Sequence, residues 1–176
     1  MVTVPETATP IIKNAVPQIA ELMETDPARH AIVQRAILLK LLDDETHYES
    51  IARAFEPALM IVDRGVRDVL AYTSEKIARS ILAERKVTFE EMSHRYDAVV
   101  HMVTTAFGAE TFYTTKNNSA RFEDTLEKAR QADLRTRHAW ENYQNFVLID
   151  NEGSNHIEES KRFDHKVPRA YEAIKK

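Results

Sequence analysis

No cysteine occurs among the 176 residues, which excludes a disulfide framework, and the expected location is cytoplasmic. Glycine is nearly as scarce, with three in the chain, few for a domain whose function needs a phosphate cradle. No apolar stretch approaches the roughly 20 residues needed to cross a bilayer, so a membrane span is excluded by length. Met1-Val2-Thr3-Val4 has neither the basic segment nor the apolar segment of a signal peptide. An excess of positive charge is missing too: the net charge is -4, and broad binding to nucleic acid needs clustered Lys and Arg to neutralise several phosphates. What remains is a length suited to one globular domain over residues 1–176, with a real core.

The most informative stretch present is Ala58-Leu59-Met60-Ile61-Val62-Asp63-Arg64-Gly65. A short continuous apolar run between Pro57 and Gly65 predicts a strand buried on both faces, as in a parallel sheet covered by helices. Ligands bind beyond the carboxyl ends of such strands, which makes Asp63 and Arg64 candidates for chemistry; the competing reading has Asp63 capping the next helix. Val2-Thr3-Val4-Pro5-Glu6 predicts another short strand ending on an acid, Glu6, followed by a helix through Ile11, Ile19 and Met23. Asp26-Pro27 is a helix start, with Asp26 as N-cap, and helical spacing then runs to about Phe55.

A helix is predicted from Val66 to about Arg85, and Thr88 with Glu91 forms a capping box for a short helix to about Tyr96. Ala98 to Thr104 is a β-branched run and predicts a buried strand, within which His101 reads as a hydrogen-bonded core histidine. Thr105 to Ser119 is polar and aromatic, a binding loop or lid by its place after a strand. Ala120 to about Tyr143 predicts a long helix whose arginines alternate with acids, which also suits a solvated face laced with i,i+4 pairs. Asn145 to Asn151 is the fourth strand, and a last helix ends near Ile174 with Pro168 within it. Strands alternating with helices predict a three-layer α/β/α domain with a mostly parallel sheet.

Taken together, VPE at 4–6, IVDRGVRDVLAY at 61–72, RYDAVVHMVTTAFGAETFYTT at 95–115, NNSARFED at 117–124, ARQADLRTRHAW at 129–140 and VLIDN at 147–151 resemble the AAA-type P-loop ATPase/kinase family. That family is related to nucleoside and nucleotide kinases and to the ribosylnicotinamide kinase domain. The resemblance implies a P-loop NTPase-like fold and Mg²⁺-dependent phosphoryl transfer from ATP or GTP to a small-molecule acceptor. It makes Asp63 the Walker B-like acid that holds Mg²⁺, Arg64 a clamp for a substrate phosphate or carboxylate, and Glu6 the general base. It places Arg121, Arg130, Arg135 and Arg137 around a lid over the transferring phosphate, and Asn151 beside the nucleotide base.

One departure stands against these agreements. The family's phosphate cradle is strand, GxxxxGK[ST] and helix, and no Gly-Lys pair occurs in this sequence. The chain therefore reads as a family member lacking its first strand and P-loop, through an upstream extension, a decayed gene or a real short form closed by a partner chain. As it stands the expected activity is weak or absent. The alternative is a non-catalytic interaction protein that binds a partner through its sheet edge or through the 105–119 loop.

Overall fold

The computed structural model describes residues 1–55, 59–92, 94–113, 125–152 and 162–174. The chain divides into two compact units, residues 1–92 and 93–176.

In the first unit, strand β1 (Val2–Val4) pairs in parallel with β2 (Met60–Val62), with Val2 opposite Met60 and Val4 opposite Val62. Between them run helices α1 (Ala8–Ala15), α2 (Ile19–Thr25) and α3 (Pro27–Ala54). The single helix predicted from Thr7 to Met23 is thus two. Pro17 has no N–H to donate and disfavours helical backbone at the residue before it, and Val16 accordingly ends α1 at φ -144° and ψ 65°. The start of α3 is as predicted: Asp26 caps it, accepting from the Arg29 N–H at 3.1 Å, with Pro27 at the first helical position. Over its 28 residues α3 is about 42 Å long and packs against α2, both strands and the elements that follow β2. Its buried side includes Val33, Leu38, Leu41 and Leu42, which with Val4, Ile12, Ile19, Val66, Ile81 and Leu82 form the core of this unit.

After β2, the predicted helix from Val66 to Arg85 is a 3₁₀ turn (Val66–Ala71) and then α4 (Glu75–Glu84). The break falls at Ser74, whose extended backbone and hydroxyl, accepting from the Ile77 N–H, make it the N-cap of a new helix. Helix α5 (Phe89–Met92) is shorter than expected but opens on the predicted capping box: Glu91 accepts from the Thr88 N–H at 2.7 Å and the Thr88 hydroxyl accepts from the Glu91 N–H at 3.1 Å.

Burial of β2 on both faces does not hold. Leu59 and Ile61, two residues apart and so on one face, are exposed, and among the described residues β2 pairs on one side only, with β1. In the second unit β3 (Val99–Met102) and β4 (Phe146–Ile149) form a parallel pair, with Val99 opposite Phe146 and Met102 opposite Ile149. Strands β3 and β4 are joined through α6 (Leu126–Trp140), and α7 (Arg162–Ile174) packs against both. The buried face of α6 carries Ala129, Ala132, Thr136, Ala139 and Trp140. Trp140, Tyr96 and Tyr143 meet edge to face at centroid distances of 5.5 to 6.3 Å, and the Tyr143 hydroxyl donates to the Tyr96 carbonyl at 2.7 Å.

One buried histidine gives the first unit a pH dependence. His30 is 3 % exposed, its Nε2 accepts from the Gln34 side-chain amide at 3.3 Å, and burial holds its pKa below the ordinary value. The unfolded chain then takes up a proton before the folded one does. Stability contributed by neutral His30 is present above about pH 6.5 and is lost as pH falls from there towards the folded pKa, with a slope of up to about 1.4 kcal/mol per pH unit. Urea unfolding between pH 5 and 8 should show this loss in the native protein and a shallower one in His30→Leu. Equal slopes would assign the loss to other groups.

Candidate functional site

Each parallel pair presents charged residues just past its strands' carboxyl ends. In the first unit, β1 leads to Glu6, whose carboxylate accepts from the N–H groups of Ala8 and Thr9 at 2.8 to 3.0 Å. Glu6 therefore satisfies the free amides at the start of α1 and sits well against the helix dipole. Next to it Thr7 is buried and donates to Asp44 of α3 at 3.3 Å, and Asp44 is ion-paired with Lys40.

Strand β2 ends on Asp63 and Arg64, both exposed. Arg64 has φ 75°, in the left-handed region, where a side chain with a Cβ is disfavoured by about 1 to 2 kcal/mol. Such strain at a strand end turns the chain sharply and gathers at functional sites. Asp63 has no hydrogen bond or ion pair among the described residues. The carboxylate that caps the following turn is instead Asp68, which accepts from the Gly65 N–H at 2.7 Å. Asp63 is thus left available as an oxygen ligand.

In the second unit the chain beyond β3 is held at almost every residue. Lys166 of α7 donates to the Val103 carbonyl at 2.6 Å. The Thr104 N–H donates to Asp133 of α6 at 2.8 Å. Asn151, just past β4, donates to the carbonyls of Thr104 and Phe107 at 2.8 and 2.6 Å. Arg130 of α6 donates to the Ala106 carbonyl at 2.7 Å, pairs with Glu110 at 3.0 Å and lies over the Phe107 ring. Gly108, at φ 71°, makes the turn that brings its own N–H to Glu110 at 3.1 Å.

The electrostatics follow from these contacts. Glu110 is held below the ordinary carboxylate range by its own N–H and that of Gly108, with Arg130 adding to them. Asp150 is lowered chiefly by Arg169, which donates to its carboxylate at 2.8 Å. Burial pushes the Lys166 amine down, against the attraction of Asp133. His101, buried as expected, approaches Asp133 to 3.3 Å, but the approach is not aligned and its Nε2 has no hydrogen bond. The result is a stretch of backbone fixed by four side chains, suited to presenting peptide groups in a set geometry.

The model of a family described as AAA domain matches residues 1–166. The chain belongs to the AAA domain family. Membership carries a P-loop NTPase-like α/β fold and, in general terms, nucleotide binding of the ATPase or kinase kind. No curated protein and no solved structure matches this AAA domain. No helix among the described residues is long and apolar enough to cross a membrane.

Of the residues singled out in the sequence, the AAA domain brings Asp63 and Arg64 together at one strand end and places Glu6 at the end of the strand paired with it. Arg130 and Arg137 lie on one side of α6 and Arg135 about 140° round the helix, so the arginines do not form one cluster. Arg121 lies outside the described residues. Asn151 is buried in the loop brace. Four residues went unremarked in the sequence. Asp133 and Lys166 looked like ordinary members of charged helices, and Arg67 and Asp68 like the first turn of a helix. The position of Asp68, three residues beyond Gly65, was the one local signal, since an acid there returns to the N-terminal amide.

Proposed function

We propose that residues 1–176 serve as one nucleotide-binding domain for phosphoryl transfer from ATP or GTP to a small-molecule acceptor, working when a phosphate cradle completes it. The observation that carries this reading is Asp63, an exposed carboxylate without a partner among the described residues, beside the left-handed Arg64 at the end of a parallel strand. Mg²⁺ is bound by one or two carboxylates together with substrate phosphates, so a lone Asp63 fits it; no group of three or more acids or histidines occurs among the described residues to hold it without phosphates. Bound there, Mg²⁺ would supply charge neutralisation to the phosphates.

The chain's own residues divide the remaining work. Arg64 offers a planar fork to a phosphate or carboxylate of the acceptor. Glu6 can take a proton from an acceptor hydroxyl only by releasing the amides of Ala8 and Thr9, and Arg130 can reach a phosphate only by leaving Glu110. Arg137 lies on the same side of α6 as Arg130, with Arg121 and Arg135 as further lid positions. Asn151 meets a nucleotide base only by giving up its two carbonyls. The sequence carries no GxxxxGK[ST], so turnover by the chain alone is expected to be negligible.

A second reading has one observation of its own. Strand β2 has a neighbour on one side only among the described residues, and its Leu59 and Ile61 are exposed, features that suit addition of an extended apolar segment from a partner.

Calorimetric titration of the chain with Mg·ATP and Mg·GTP, beside an Asp63→Ala variant, separates these. On the nucleotide reading the variant binds about tenfold more weakly, a loss of about 1.4 kcal/mol. Identical isotherms would remove Asp63 from the site, and robust ATP hydrolysis by the unaltered chain would overturn the need for a cradle.

A further inference from the structure

In the first unit, Arg29, Arg35, Arg53, Arg79 and Arg85 each hold a carboxylate. Arg67 does not. It is half-buried in the 3₁₀ turn after β2, its Nε is sealed from solvent, and that nitrogen has no hydrogen-bond partner. No ion pair to Arg67 is found among the described residues. Its neighbour Asp68 turns the other way, to the Gly65 N–H.

A desolvated guanidinium nitrogen without an acceptor opposes folding, because the water it gave up is not replaced. Native structures hold few such groups, and those they hold call for an explanation. A methionine of similar length would fill the same space without the cost. The placement supplies a reason to keep the arginine: Arg67 stands past the carboxyl end of a parallel strand, where ligands bind in α/β folds, and in the same short segment as the strained Arg64 and the unpartnered Asp63. A guanidinium fork matches two oxygens of a phosphate or carboxylate, and binding such a group would satisfy the buried nitrogen.

We infer that Arg67 is the receptor for an anionic group, phosphate or carboxylate, of a small-molecule ligand that binds at the carboxyl end of β2. The inference stands apart from the nucleotide reading, since it requires an anion at Arg67 and no phosphoryl transfer.

Thermal unfolding of the full chain tests it, with wild type, Arg67→Met and Arg67→Lys compared in chloride, phosphate and acetate at matched ionic strength. In chloride, Arg67→Met is expected to melt higher than wild type, since it removes an unsatisfied buried group. Phosphate or acetate should raise the wild-type melting temperature, as any ligand that binds only the folded state does. The rise should vanish in Arg67→Met and be partly retained in Arg67→Lys. Whichever anion gives the larger rise identifies the ligand group as phosphate or carboxylate. A lower melting temperature for Arg67→Met in chloride would make the residue structural, and that result overturns the inference. So does an equal anion response in wild type and Arg67→Met, or a wild type indifferent to both anions. Because no nucleotide is present, none of these outcomes bears on Asp63 and Mg·ATP.

Discussion

Replacing Asp133 with alanine is expected to destabilise the protein by about 3 kcal/mol, the scale for removing one partner from a buried charged network. The Asp133 carboxylate is 8 % exposed, accepts from the Thr104 N–H, lies against His101 and attracts the buried amine of Lys166. Alanine leaves that N–H without its acceptor and the Lys166 charge without the stronger of its two compensations. Each loss adds to the other, because an unpaired polar group in a low-dielectric setting costs more than the bond it replaced was worth. Asparagine separates the two contributions. Its carbonyl oxygen can still accept from Thr104 while its charge is gone, so Asp133→Asn should cost about half as much. Urea unfolding followed by the fluorescence of Trp140, the single tryptophan and a buried residue of the same helix, reads both variants. A cost below about 1 kcal/mol for the alanine variant would mean that water replaces the carboxylate, and the loop after β3 would not be held as described.

What the sequence made legible was local. The Asp26-Pro27 start and the Thr88–Glu91 capping box were readable because donor and acceptor lie within four residues of each other. Parallel pairing was legible from the alternation of strands and helices. The breaks at Pro17 and Ser74 had local signals that the apolar spacing across them concealed. The loop brace had none. Asp133 meets Thr104 across 29 positions and Lys166 meets Val103 across 63, and nothing near either residue distinguishes it from its solvated neighbours. On α7 the usual pattern even runs in reverse, with Lys166 turned inward while Val167, Tyr171 and Ile174 are exposed. Burial of β2 failed for a related reason: an apolar run reports affinity for a core, but whether both faces are covered depends on which elements pack over each face, which is not written in the run itself.

Asn151→Leu is expected to cost about 2 to 3 kcal/mol, and its effect decides what the residue does. The amide of Asn151 donates to two carbonyls at 2.8 and 2.6 Å from a site that is 9 % exposed, and leucine, which branches at the same atom but is bulkier, leaves both oxygens without that donor. Aspartate is the sharper probe. It has the same shape, but it presents carboxylate oxygens to two carbonyl oxygens, so repulsion replaces attraction and Asn151→Asp should be at least as destabilising as leucine above the ordinary carboxylate range. Protonation restores one donor, so part of the stability lost in Asn151→Asp should return as pH falls through the pKa of that carboxyl, which its surroundings raise. A residue serving only as a contact to a nucleotide base predicts the opposite, with unfolding curves of all three proteins superimposed and nucleotide affinity changed. Urea unfolding of wild type, Asn151→Leu and Asn151→Asp at pH 5 and pH 8 distinguishes the two. The brace requires both variants to be less stable at pH 8, with the gap narrowing at pH 5 for aspartate alone, because leucine has no proton to gain.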